Sequence, residues 1–485
     1  MKRPLTLGLL GALMLTVLLP NTAFAHGFGE RYDLPLPLEH YLTAAGLAVA
    51  LSFVIITIFS RRDIGGSYPQ KNLRTWRLGR ALAHPGLLAT FRGLAAFVFV
   101  IYVTAGLFGT DDPNANLVPT MTWVVFWVGI AYISALVGDI WSLINPWKIL
   151  FSYSESLIWR MTGKDLSRYE PYPESWSAWP AVAFFLAFAW VEIVYTGSDV
   201  PFNLAALVLA YSGITFAGMW WFGRDEWLQN AEVFSIVFGF LATFAPIHVT
   251  EPGDAQAEPA FTLRPWGAGL LIALRPDLPR AVLLVMMLST ASFDGFVETG
   301  TWTELLLSLY PSFDFLGSYT FSGITTFGLL LAPVIFFAVF ATTSRMMGWL
   351  VNSSLRSIDL VRGFVYSLVP IALAYHIAHF FSFLMIQGQR IIALVSDPFG
   401  AGWDLFGTAD FVIDIGIVNA RFVWFLSIAV IVMGHIMAVY IAHVYALRMF
   451  PGKNNSVRSQ YPMLVLMTAY TMASLWIVAQ PIVEP

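Results

Sequence analysis

The chain has 485 residues, 58% of them hydrophobic and only 12% charged, with a mean hydropathy of +0.70, whereas a soluble domain keeps roughly 25% charged residues. That balance excludes an ordinary soluble globule and predicts an integral membrane protein, and a net charge of −4 without a basic block offers nucleic acid no binding surface. The absence of cysteine excludes disulfides, thiolate metal sites and a cysteine nucleophile.

The N-terminus places Lys2 and Arg3 before an apolar stretch that ends in Ala23-Phe24-Ala25. This fits a signal peptide over residues 1–25 with a small-x-small cleavage site; an uncleaved first span is the alternative. Residues 26–38 then form an external segment, and 39–485 a single transmembrane domain. Apolar runs follow at 40–59, 93–109, 120–144, 178–197, 203–222, 233–249, 281–298, 321–343, 364–386, 422–447 and 461–480. The fold class expected is all-α, a polytopic helix bundle of about 10–12 spans across a core of about 30 Å.

Charge orients the spans. The loop 60–92 carries Arg61, Arg62, Lys71, Arg74, Arg77, Arg80 and Arg92, while 110–119 has two acids and no base. The positive-inside rule puts the first in the cytoplasm and the second outside. The same rule puts 145–177 and 344–363 inside, and 300–320 and 387–420 outside. Strict alternation fails across 232–280, where "FTLRPWGAGLLIALRPDLPR" is too short to span and reads as a re-entrant or surface segment.

Ionisable side chains at membrane depth cost about 2.5–3.5 kcal/mol each on insertion scales, so they form the natural list of functional candidates. Asp294 and Glu298 lie four residues apart on one face of the 281–298 span, about 6 Å between Cβ atoms. His376 and His379 share a face of the 364–386 span, and Ser382 continues the stripe. On the following span, His435 lies near mid-membrane and His443 about 12 Å further in. Imidazoles from adjacent helices with a carboxylate could supply the ligands of a zinc-like divalent metal ion with an open position. On that expectation His376, His379, His435 and Asp294 hold the metal, Asp294 also orients the water, and Glu298 is the general base. The plainer alternative is that these histidines bond carbonyls or serines and join helices.

Weaker candidates are Glu192, in the outer half of its span and able to join the cluster; Asp139, before the helix break at Asn145 and Pro146; and Asp410 with Asp414, in an external loop. His26 would become the new N-terminus, and its amine and imidazole form a pair able to chelate copper. The 18 Trp and 40 Phe are expected in interface belts and lipid-facing packing.

The segments "AHGFGERYDLPLPL", "GDIWSLINPW", "STASFDGF", "AHFFSFLMIQGQ" and "DPFGAGWDLFGTADFVIDIGIV", in that order from residue 26 to about 447, resemble the bacterial multi-pass membrane proteins known as fenitrothion hydrolases. The resemblance implies a bacterial inner-membrane protein that hydrolyses organophosphorus triesters. The expected partners are then the lipid bilayer and a lipophilic small-molecule substrate, with the mature N-terminus external. It carries over no catalytic residue map, and the chain contains neither GxSxG nor HExxH. A transporter or metal-handling membrane protein would use the same histidines and acids as an ion or proton relay, and a membrane scaffold would use them only to join helices.

Overall fold

Lipid offers the backbone no hydrogen-bond partners, so a spanning segment must satisfy its own N–H and C=O groups. The computed structural model, which describes residues 31–59, 68–250 and 260–484, does this with helices. The expected signal segment, His26, Arg61 and Arg62 lie outside the described residues.

The main helices are α1 (Leu38–Phe59), α2 (Pro85–Phe108), α3 (Leu117–Leu136), α4 (Pro146–Thr162), α5 (Trp179–Ile193), α6 (Pro201–Phe222), α7 (Arg224–Asn230), α8 (Val233–Phe244), α9 (Leu278–Val297), α10 (Gly300–Phe313), α11 (Thr320–Trp349), α12 (Ser357–Gln387), α13 (Ala420–Met449) and α14 (Asn454–Ala479). Among the described residues, nine stretches are long and apolar enough to cross a membrane: α1, α2, α3, α6, α9, the α10–α11 pair, α12, α13 and α14. Large apolar side chains such as Leu47, Phe97, Val334 and Val465 are exposed along them, which is the outer surface a bilayer requires. The chain is therefore a multi-pass, all-α membrane protein.

Local chemistry starts these helices where the sequence permits. Pro85, Pro146, Pro201 and Pro279 occupy first turns, where a missing N–H costs nothing. Asn116, Asn145, Asp277, Thr299 and Asn419 accept from backbone N–H groups of the helices that follow them. Within α3, Thr120–Ile130 is wound as a π-helix, a form that recurs at functional sites.

Among the described residues, five strands of two to four residues tie segments together on two faces of the bundle. On one face, β1 (Tyr32–Asp33) pairs in parallel with β5 (Val483–Glu484), and Thr110 N–H donates to Phe399 O at 2.8 Å. On the other, β4 (Ala260–Leu263) lies between β2 (Lys71–Asn72) and β3 (Ile247–Thr250), Arg224 pairs with Glu155 at 2.8 Å, and Arg362 Nε donates to Pro276 O at 2.6 Å.

These ties settle the region where alternation fails. α7 and α8 are bent against each other by 65°, yet the segments on either side of them reach the same face. Gln229 O accepts from Arg280 at the start of α9, and Ile247 pairs with Leu263 and bridges to Gly138. The expected span at 233–249 is thus corrected to a re-entrant pair. Its physical reason is Arg264, which is buried and donates to the carbonyls of Ala242, Thr243 and Ala245. The guanidinium ends α8 inside the protein rather than at a far surface. The 260–276 segment forms β4 and a short helix, Ala268–Ile272, whose first four residues are buried; it contains no spanning helix. With α5 as a short tenth crossing, both described ends lie together, which the β1–β5 pairing demands.

Single-cysteine variants on the natural cysteine-free background test this path. A membrane-impermeant maleimide is expected to label Gln229→Cys and Val249→Cys from one side and Asp111→Cys from the other. Labelling of Gln229→Cys and Val249→Cys from opposite sides would restore α7–α8 as a crossing.

Candidate functional site

Asp294 lies in the last turn of α9 and His379 eight residues before the end of α12. His379 Nε2 and Asp294 Oδ2 are 3.0 Å apart, the side chains 2% and 22% exposed. An ionised carboxylate accepts only, and in that state the bond takes its proton from Nε2. The approach of the two helices depends on Gly295. A Cβ there would collide with the Tyr375 hydroxyl and lie 3.4 Å from His379 Nδ1. Tyr375 and His379, four residues apart on α12, stack with centroids 6.0 Å apart and planes 20° from parallel. Among the described residues the buried Tyr375 hydroxyl finds no hydrogen-bond partner.

Asp294 also borders a cavity of about 40 Å³ together with Glu192 of α5, His376 of α12 and Trp127 of the π-helical turn. Its other walls are apolar apart from Thr290, and include Phe185, Val237, Leu241 and Phe380. Such a volume holds on the order of one to three water molecules. Glu192 and Asp294 are close enough to feel each other's charge. His376 is clamped among aromatic rings, with centroids 5.6 Å from Trp127, 5.7 Å from Tyr132 and 4.8 Å from Phe380. Tyr132 donates its hydroxyl to Ile377 O at 3.0 Å, fastening α3 to α12 at this level. Among the described residues His376 Nε2 is buried without a hydrogen-bond partner, as is His435 Nε2, a state that costs stability unless water or a ligand meets it.

The expected four-residue metal set is not assembled. Among the described residues, no group of three or more histidine, aspartate or glutamate side chains is placed to hold a metal ion. His376 and His379 both contact the Phe380 ring, and of the two only His379 reaches Asp294. His435 is held on its own helix by a 2.8 Å bond from Nδ1 to Ile431 O, with its ring against Tyr470. His443 bonds Gln460 and stays out of the site, as its depth predicts. Glu298, the expected general base, is exposed at the end of α9 and does not line the cavity. Asp139 accepts from Ser142 N–H and Asp414 from Gly416 N–H, both structural uses.

Glu192 moves from weak candidate to member of the site. Trp127, Tyr132 and Tyr375 are not recoverable from sequence, because an aromatic residue in an apolar run has the same appearance whether it faces lipid or a histidine.

Gly295→Ala is expected to destabilise the protein by about 1–3 kcal/mol through overpacking, read as a lowered Tm in detergent. Gly93→Ala, whose Cβ would meet open space, is the control and should leave Tm unchanged or slightly raised; equal Tm values for parent and Gly295→Ala would refute the tight α9–α12 approach. Compared with family models, curated proteins and solved structures, the chain matches none.

Proposed function

We propose that the chain is a membrane-embedded hydrolase of lipophilic organophosphorus triesters that activates water in the cavity between Glu192, Asp294 and His376. The observation that carries this reading is a water-sized cavity at membrane depth, lined by Glu192, Asp294 and His376. The resemblance of the sequence segments to fenitrothion hydrolases supplies the substrate class. The basic residues concentrated on the β2–β3–β4 face support an inner-membrane orientation with that face cytoplasmic and the β1–β5 face external.

In this mechanism Glu192 and Asp294 accept the hydrogen bonds of the trapped water. His376 Nε2 takes the proton as the water oxygen attacks phosphorus. The bond from phosphorus to the aryl oxygen breaks, the aryl oxygen leaves as a phenolate, and the new P–OH group gives a phosphodiester. The carboxylates stabilise the transient imidazolium, and His379 acts as a positioning residue that fixes the orientation of Asp294. A second reading, proton or ion translocation, draws on the concentration of ionisable groups within the spans. It requires a flux and no hydrolysis.

Purified protein is expected to release nitrophenol from an aryl phosphorothioate triester. His376→Gln and Asp294→Asn should lower kcat by about 10²-fold or more, and Glu298→Gln by less than about threefold. Folded parent protein with no release above background, or Asp294→Asn as active as the parent, would refute the hydrolase reading.

A further inference from the structure

On the β1–β5 face, the loop 397–419 between the short helix Arg390–Ser396 and α13 has its polarity turned inside out. Residues 391–420 contain four aspartates and no lysine, arginine, histidine or glutamate. Asp397 accepts from the backbone N–H groups of Ala401, Gly402 and Trp403, Asp404 from Ala409 and Asp414 from Gly416. Three of the four carboxylates are thus spent on the loop's own backbone. Trp403, Leu405, Phe406, Val412, Ile415 and Ile417 are exposed instead, Leu405 to 62%, Phe406 to 68% and Val412 to 83%. Apolar side chains gathered at a surface in this way mark a contact with a partner or a membrane.

The exposure is built into the loop. The Gln389 side chain clasps Asp414, with Nε2 donating to Asp414 O and Oε1 accepting from Asp414 N–H, both at 3.0 Å. The Ser396 hydroxyl oxygen accepts from the N–H groups of Phe406 and Thr408. Pro398 O and Phe399 O accept from Leu117 and Thr110 N–H, which fastens the loop to the α2–α3 turn.

The patch is continuous with surfaces that face lipid. Ile392 and Val395 are exposed on the short helix before it, and Phe422 and Phe425 in the first turns of the spanning helix α13 after it. Phe108, the last residue of the spanning helix α2, is exposed two positions from Thr110. Without basic residues, and with its carboxylates turned onto backbone, the loop offers little to an ionic partner and much to an apolar one.

From these observations we infer that the loop 397–419 is an interfacial anchor, a rigid segment that lies in the phospholipid leaflet on the β1–β5 side with Trp403, Phe406 and Val412 set among the acyl chains. The inference goes beyond the hydrolase reading and does not rest on it. It also sets the depth of the candidate site, because His379 stands eight residues before the end of α12, about 12 Å of helical rise beneath the loop.

The test uses the absence of cysteine from the chain. Nitroxide labels are placed on Phe406→Cys and Val412→Cys, and the full chain is reconstituted in phosphatidylcholine vesicles. Collisions of each label with oxygen and with a water-soluble nickel chelate, calibrated with spin-labelled lipids, report its depth. Both labels are expected to favour oxygen and to lie about 5–10 Å below the phosphates. A label at either position that meets the nickel chelate as freely as one in water would overturn the proposal. Shielding of either label from both reagents would overturn it too, in favour of a second copy of the chain on this face. Leu405→Cys takes the place of either variant whose Tm falls below the parent's, so that the depth is read on folded protein.

Discussion

The contact between Asp294 and His379 is the constraint around which the candidate site is arranged. A lone carboxylate at this depth is expensive, and a hydrogen-bonded histidine is the partner that makes it tolerable. To bring the pair to 3.0 Å, α9 and α12 must approach closely enough that Gly295 has no room for a side chain. That approach stacks Tyr375 on His379 and turns His376 towards α3 and α5, where Glu192 and Trp127 complete the cavity. Loss of the pair would leave a buried charge without its partner, a cost of about 3–5 kcal/mol in comparable settings.

Two glutamates within the bundle, Glu232 buried and Glu192 half-buried, show how the fold separates structural from functional polarity. Glu232 accepts from the backbone of Phe234 and Ser235, from the Ser235 and Tyr211 hydroxyls and from Asn145. Its oxygens are consumed in starting the re-entrant helix α8. Glu192 lines the cavity instead, together with Asp294 and His376. The first arrangement is a cap that resists change, and the second keeps acceptors available to a small polar molecule. α8 serves both, since Val237 and Leu241 on its flank form the cavity's apolar floor.

Much of the architecture is legible in the sequence because lipid enforces a coarse code. Each apolar run from 40–59 to 461–480 became a helix, and the loops sorted by charge fall on the two faces that the strand pairings define. The exception at 233–249 has a specific cause: hydropathy registers the apolar face of α8, but not that Arg264, distant in sequence, closes its end within the protein. The site was legible in part. Cost at membrane depth selected Asp294, His376, His379 and Glu192 correctly as a neighbourhood. It could not fix the rotation of one helix against the next, and that rotation carries His435 away to Ile431 O and leaves Glu298 at the surface. The aromatic clamp on His376 is a property of packing alone, invisible where tryptophan and phenylalanine are abundant everywhere.

The central claim is that Asp294 and His379 form an energetically coupled pair within the membrane. A double-mutant cycle on Asp294→Asn and His379→Gln, read as unfolding free energy in a bilayer, tests it most directly. The account predicts a coupling of about 0.5–3 kcal/mol, as for residues in direct contact. Single effects that add to within about 0.3 kcal/mol would contradict it, because side chains that do not interact are the ones whose effects sum.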